Sequence, residues 1–338
     1  LQLLIELGPV LVSTLGYSNP EVEAVYARAR ELGERSGGDL RQRFTVLSGL
    51  LLFHQSRAEL ALCVDLTRQR MAIARTLDDP DMEMLCHENF GTLAHWRGEM
   101  EESLVELRAA LALYRPTGGR AIRLLYGTDV SVVSRTYEAQ ALMHLGHLDQ
   151  ARERARAAID VGRSLGHFPS LALALTFGAG LHNAFGDGAR GLALAEETHA
   201  LATREHLAMW VASSVSQRVR ALTLLGDPEV AIAAFFAGSA ALQATGATIG
   251  GRFFVTGLAD AYLAAGRADE GLTMFDGLLA GFSRCEDCFY DADVHRVRGS
   301  LLRATSGDPA VAEPHYREAI SLARQHHNPL LELRAATP

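Results

Sequence analysis

Few residues in this chain stand at spacings that chemistry uses, and each such spacing has a competing helical explanation. Cys285-Glu286-Asp287-Cys288 is a CxxC pair. A structural zinc takes four ligands, usually from two such pairs. The other cysteines, Cys63 and Cys86, lie far off in sequence, and His295 is the nearest histidine. Two thiols in a loop between helices are therefore expected. Gly162-Arg163-Ser164-Leu165-Gly166 matches the nucleophile-elbow pattern, which works only on a sharp turn between strand and helix. Here it ends a helical run, with Gly166 placed as a C-cap. His87-Glu88 opens like a zincin motif, but position 91 is Gly, so the second histidine is missing. His326 and His327 are adjacent and cannot share a helical face; they suit a basic cap near a helix C-terminus. Asp291 and Asp293 lack the rest of a calcium loop. Arg152, Arg154 and Arg156 fit a solvated helix face. No metal site and no catalytic residue is expected.

Composition removes further classes. All 32 basic residues are Arg, against 40 acidic ones, for a net charge of −8. Without Lys there is neither a Walker A loop nor a Schiff-base amine. Without basic blocks, nucleic acid is a poor partner. No apolar window approaches the roughly 18 residues of a membrane span. Four cysteines in 338 residues make no disulfide framework, so a cytoplasmic setting is expected. The chain has no signal peptide, starts at Leu1 without a Met, and stops at Thr337-Pro338. A fragment of a larger protein is the expectation.

The elements that would position any site come from a repeat. Gly146, Gly186, Gly226, Gly266 and Gly307 each open a short polar turn followed by an Ala-rich run, at intervals of 40 or 41. Upstream the turn recurs at Gly98, at Ser56 (42 earlier) and at Gly16 (40 before that). The interval from Gly98 to Gly146 is 48, and its surplus reads as an inserted loop over residues 116–128, between the third and fourth hairpins. Ala, Leu, Arg and Glu dominate the intervening segments and favour helix. Pro228 and Pro309 sit where a helix begins, a position that tolerates a missing N–H. Small residues recur five positions after the turn (Ala61, Ser103, Ala151, Gly191, Ala231, Gly271, Ala312) and seven before it (Gly49, Gly91, Ala139, Ala179, Val219 and Ala259, with Ser300 in the last unit). They let two helices approach closely and stack. The expected fold is all-α. It is one solenoid over residues 1–338, a right-handed superhelix of about eight antiparallel hairpins.

This register resembles the tetratricopeptide repeat (TPR), with a longer period and only partly filled aromatic positions: Tyr262 fits, whereas His182 and Leu222 occupy the equivalent site. Three segments resemble something narrower. They are Leu124-Leu125-Tyr126-Gly127-Thr128-Asp129, Phe289 through Leu302, and Tyr316 through Arg324 followed by Leu331-Glu332-Leu333-Arg334-Ala335-Ala336. Together they are similar to the C-terminal helical-repeat region of bacterial signalling proteins that carry a class III adenylate/guanylate cyclase domain and an AAA-type ATPase module. Related arms follow the ATPase module in some transcriptional regulators. Val130-Ser131 and His327-Asn328-Pro329 depart from that family's usual continuations. The resemblance implies that ATP and a divalent metal belong to upstream domains, with no cofactor in this chain.

In TPR-type units the first helix of each hairpin lines the concave face, which is the usual binding surface. Projected through the register, the groove residues are Glu88, Thr92, His95 and Trp96, then Thr136, Gln140 and His144. Thr176 and Asn183, Ser216 and Arg220, and Thr256 and Asp260 follow. Trp96 and Arg220 stand out, because Trp and Arg dominate interface energetics. The expected function is a non-catalytic protein-interaction and regulatory arm, binding a protein segment or its own upstream cyclase/ATPase modules. The alternative is a small-molecule sensor holding a metabolite inside the superhelix.

Overall fold

Aspartate side chains set where many of the helices begin. The computed structural model describes residues 1–37, 39–115 and 127–337. In it Asp39, Asp79, Asp129, Asp187 and Asp308 each accept a hydrogen bond from a backbone N–H two or three residues on. This satisfies donors that a helix start leaves over. Pro80 and Pro309 follow two of these caps directly as first helical residues, and Pro228 opens its helix in the same position.

Seventeen α-helices result among the described residues. They are α1 (Gln2–Leu15), α2 (Pro20–Ser36), α3 (Leu40–Ser56), α4 (Leu60–Thr76), α5 (Pro80–Trp96), α6 (Met100–Leu113), α7 (Val130–His144), α8 (Leu148–Leu165) and α9 (Phe168–Ala184). Then come α10 (Gly188–Arg204), α11 (Ala208–Leu224), α12 (Pro228–Thr245), α13 (Gly251–Ala264), α14 (Ala268–Leu279), α15 (Asp291–Ser306), α16 (Pro309–Gln325) and α17 (Pro329–Ala336). They pair as eight hairpins whose internal turns fall at, or within three residues of, the repeat positions. The last helix, α17, is half a hairpin beyond the eightfold count. Of the expected insertion at 116–128, all but Gly127 and Thr128 lie outside the described residues. Gly166 ends α8 in the left-handed conformation, φ 60°, as a C-cap should. The nucleophile-elbow pattern is thus a helix terminus.

The small residues do what their register requires. A Cβ on Gly91 of α5 would stand 2.6 Å from Leu107 Cγ on α6, and one on Gly271 of α14 would stand 2.7 Å from Tyr262 Cβ on α13. The two helices of a hairpin also differ in burial. Every residue of α7 is buried except Arg135. Its partner α8 buries only Ala151, Ala155, Ala158, Ile159 and Gly162, the stripe of an outer helix. Among the described residues, no helix is long and apolar enough to cross a membrane.

The solenoid winds tightly enough for late hairpins to touch early ones. Thr248 N–H and Ile249 N–H donate to Ser56 O at 2.9 and 3.2 Å. The linker between α14 and α15, with 3-10 turns at Ala280–Phe282 and Cys288–Tyr290, reaches α4 and the turn after α5. Glu286 N–H donates to Ala58 O at 3.0 Å, and the Cys288 thiol donates to Arg97 O at 3.4 Å. The CxxC thiols are therefore in a loop between hairpins, and that loop clasps the superhelix.

Candidate functional site: the chamber inside the superhelix

Inner faces of the first helices (α3, α5, α7, α9, α11, α13 and α15), together with Tyr290 and α17, bound a chamber of about 640 Å³. Of the residues projected from the repeat register, Glu88, Thr92, Trp96, Gln140, His144, Thr176, Asn183, Ser216, Arg220 and Asp260 line it. His95, Thr136 and Thr256 do not. The His95 ring is 1% exposed, packed among Trp96, Tyr137 and Phe289 with centroids 5.4, 5.0 and 4.9 Å away. Burial, with His144 beside it, holds its pKa well below the ordinary histidine value. Thr136 is buried within the packing. Thr256, also buried, accepts a hydrogen bond from Arg220 at 2.7 Å.

Much of the polar row ties one inner helix to the next. Gln140 Nε2 donates to Phe177 O at 3.1 Å. Asn183 Nδ2 donates to Gln217 O at 3.0 Å. Arg220 Nη2 donates to Phe253 O at 2.8 Å, and its guanidinium lies 3.8 Å from the centre of the Phe253 ring. These bonds satisfy buried polar groups that would otherwise be costly, so the row serves the scaffold as well as the chamber.

A run of aromatic rings forms one wall. Phe253 and Tyr290 are 5.0 Å apart, Tyr290 and Trp96 6.4 Å, Trp96 and Tyr137 6.4 Å, and Tyr137 and Phe177 5.0 Å. Polar groups stand at either side. In one group Arg70 donates to Asn89 Oδ1 and Asn89 Nδ2 donates to Glu88 Oε2 at 2.8 Å. Burial pushes the Glu88 carboxyl up to about 7, against the pull of Arg70.

The other group is an ion cluster on α11, α13, α15 and α17. Arg296 Nη2 donates to both Asp260 oxygens at 2.9 and 3.1 Å, and its Nε donates to Asp293 Oδ1 at 2.7 Å. Arg334 stands 3.7 Å from Asp260 and 3.5 Å from Asp293, and Arg220 is 3.9 Å from each. Burial works against the charge on Asp293, but Arg296, Arg334 and Arg220 hold its pKa well below the carboxylate range. His144 Nδ1 meets Asn328 Nδ2 at 3.3 Å, and burial brings its pKa down to about 3. The Ser216 hydroxyl is buried without a hydrogen-bond partner, so no base activates it. Among the described residues, no three His, Cys, Asp or Glu side chains could hold a metal.

Sequence reasoning missed Arg70, Tyr137, Phe253, Tyr290, Asp293 and Arg334 as lining residues. Asp293 lies on the first helix of the eighth hairpin, to which the register was not extended. Tyr290 lies in the clasp, which follows no period.

No protein-family model matches the chain, nor does any curated protein. Among solved structures it is similar to a Rap protein complexed with Competence and Sporulation Factor, with 11% identity and TM-score 0.65 over 96% of this chain and 98% of that one. It is also similar to the apo form of RapI, with 10% identity and TM-score 0.58 over 84% and 98%. The fold is an all-α, TPR-like solenoid. At these identities the likeness to the Rap proteins is one of fold. A tetratricopeptide repeat protein from Parabacteroides merdae shows 13% identity and TM-score 0.48 over 87% and 99%.

Proposed function

We propose that this TPR-like solenoid is a non-catalytic regulatory arm that takes a short, extended protein segment into its chamber. The observation that carries the reading is the clasp. It bridges the concave groove and leaves beneath it a space of about 640 Å³ that stays partly open to solvent, in the range of ligand pockets and too small for a folded domain. An aromatic wall between two polar groups suits a peptide, which brings apolar side chains and a polar backbone together. A Rap protein of the same fold forms a complex with Competence and Sporulation Factor. The carboxylates of Asp260 and Asp293 are spent on arginines and His144 on Asn328, which favours binding over catalysis.

Following the sequence resemblance, the segment belongs to a partner or to an attached nucleotidyl cyclase and AAA-type ATPase. Occupancy biases those modules only if they favour the filled and empty arm differently. The test is retention of a random pentapeptide pool by the immobilised chain. A Ser213→Trp variant, which puts an indole into the chamber, should lose that retention while keeping its helical circular dichroism. Equal retention by both proteins would place binding elsewhere. The chamber volume also suits a small metabolite, and a thermal shift with one metabolite class but no peptide would favour that second reading.

A further inference from the structure

The ion cluster beside the chamber does not balance. Three guanidinium groups, Arg220, Arg296 and Arg334, face two carboxylates, Asp260 and Asp293. Arg296 donates hydrogen bonds to both carboxylates, which leaves the other two arginines on longer contacts to them. Arg334, on α17, stands 3.5 and 3.7 Å from the carboxylates and lines the chamber. Arg220 keeps 3.9 Å from both, and its hydrogen-bonding is turned toward Phe253 O and Thr256. Among these five groups positive charge exceeds negative by one; the Arg220 and Arg296 side chains are only 10% and 11% exposed, whereas Arg334 is 34% exposed. A guanidinium fork is shaped for a carboxylate, and the Arg334 fork keeps only long contacts to the two aspartates. Ser216, one helical turn before Arg220 and on the same face of α11, adds a hydroxyl without a partner on the chamber wall.

We propose that this cluster anchors the free C-terminal carboxylate of a short peptide lying in the chamber, with Arg334 as the principal fork and Arg220 behind it. The inference rests on the peptide-binding reading above and narrows it to peptides with a free end. A single anionic group brings the cluster to three charges of each sign. A dianionic phosphate would overshoot, so a carboxylate is the better match. The peptide body would then run along Phe253, Tyr290, Trp96 and Tyr137 toward Glu88, whose Oε2 accepts from Asn89.

The experiment uses two pools of random pentapeptides, identical except that one ends in a free carboxylate and the other in a carboxamide. Both are passed over the immobilised chain and the retained peptides are identified by mass spectrometry. The free-acid pool should be retained at least tenfold better. Arg334→Gln should erase that preference, and Arg334→Lys should restore part of it, because the charge returns without the fork. Arg334 is 34% exposed and makes no hydrogen bond, so both variants should melt close to the parent, which a thermal melt checks. Equal retention of the two pools would overturn the carboxylate anchor and leave peptide binding intact. Retention of amidated peptides enriched in Asp or Glu would replace the terminal carboxylate with a side-chain one and overturn the free-end requirement. Retention of neither pool would overturn both this inference and the reading it rests on.

Discussion

Glu286 Oε2 accepts a hydrogen bond from the Ala61 N–H at 2.6 Å, across 225 residues of chain. Ala61 is in the first turn of α4, and the residue before that helix, Glu59, provides no side-chain cap. The Glu59 carboxylate is turned toward His54 and Arg57 instead. The clasp thus supplies both the missing cap and a negative charge where the helix dipole favours one.

Removing that carboxylate should loosen the first turn of α4 and the superhelix closure together. Glu286→Ala is expected to cost about 1 kcal/mol, as cap removals do. Amide exchange should quicken at Ala61–Cys63 and also at Thr248 and Ile249, which bond Ser56 O beside the clasp. Exchange unchanged at both places would show that the clasp does not hold the closure.

Asp293 carries the heaviest electrostatic load. It is 2% exposed and faces three guanidinium groups. Asp293→Ala would leave Arg296 and its neighbours buried with one carboxylate among them. A loss of roughly 3–5 kcal/mol is expected, the range for breaking a buried pair on one side. Asp260→Ala should cost less, since its side chain is 24% exposed and water can replace part of what is lost. Urea unfolding of the two variants checks the order. A larger loss for Asp260→Ala would contradict it.

Glu88 should make stability fall with rising pH over a defined window. Its carboxyl sits at about 7 in the native chain, against 4.5 as the ordinary value. Between those values the native state keeps a proton that the unfolded state has released, so stability declines from pH 4.5 to 7 and is level above. Glu88→Gln keeps the neutral form at every pH. The variant should gain roughly 1–3 kcal/mol over the parent at pH 8 and nothing at pH 4. A pH-independent difference in unfolding midpoint would rule the effect out.

Repeat spacing located the hairpins because their turn and packing residues are local and periodic. Gly98, Gly146 and Gly186 each mark a chain reversal, and Gly91 or Gly271 marks a helix crossing. The same register put Glu88, Trp96, Gln140 and Arg220 on the chamber wall. It could not tell that Gln140 and Arg220 would be engaged by the neighbouring helix, because that depends on the distance between helices from different hairpins. His95 shares a helix with Trp96, yet Phe289 of the clasp packs against it. The clasp is aperiodic and acts across more than half the chain, so nothing local placed Glu286, Phe289 and Tyr290 against the early hairpins. The surplus charge depends on Asp293 and Arg334 meeting Arg220, which only the closed superhelix brings about.

Turns between hairpins give a last prediction. After α2, α8 and α12 the chain passes through Gly37, Gly166 and Gly246 with φ of 65°, 60° and 63°. After α10 the equivalent residue is His206, with φ 55°. A side chain with a Cβ is strained in that conformation, and His206 is exposed, so little packing offsets the strain. Glycine adopts it freely but adds entropy to the unfolded chain. The strain term is the larger, so His206→Gly should stabilise the protein by about 0.5–1 kcal/mol. His206→Ala removes the imidazole but keeps the strain, and should stay within about 0.5 kcal/mol of the parent, as exposed substitutions usually do. Urea midpoints of the three proteins decide it. A gain for alanine equal to that for glycine would assign the effect to the imidazole and not to the backbone.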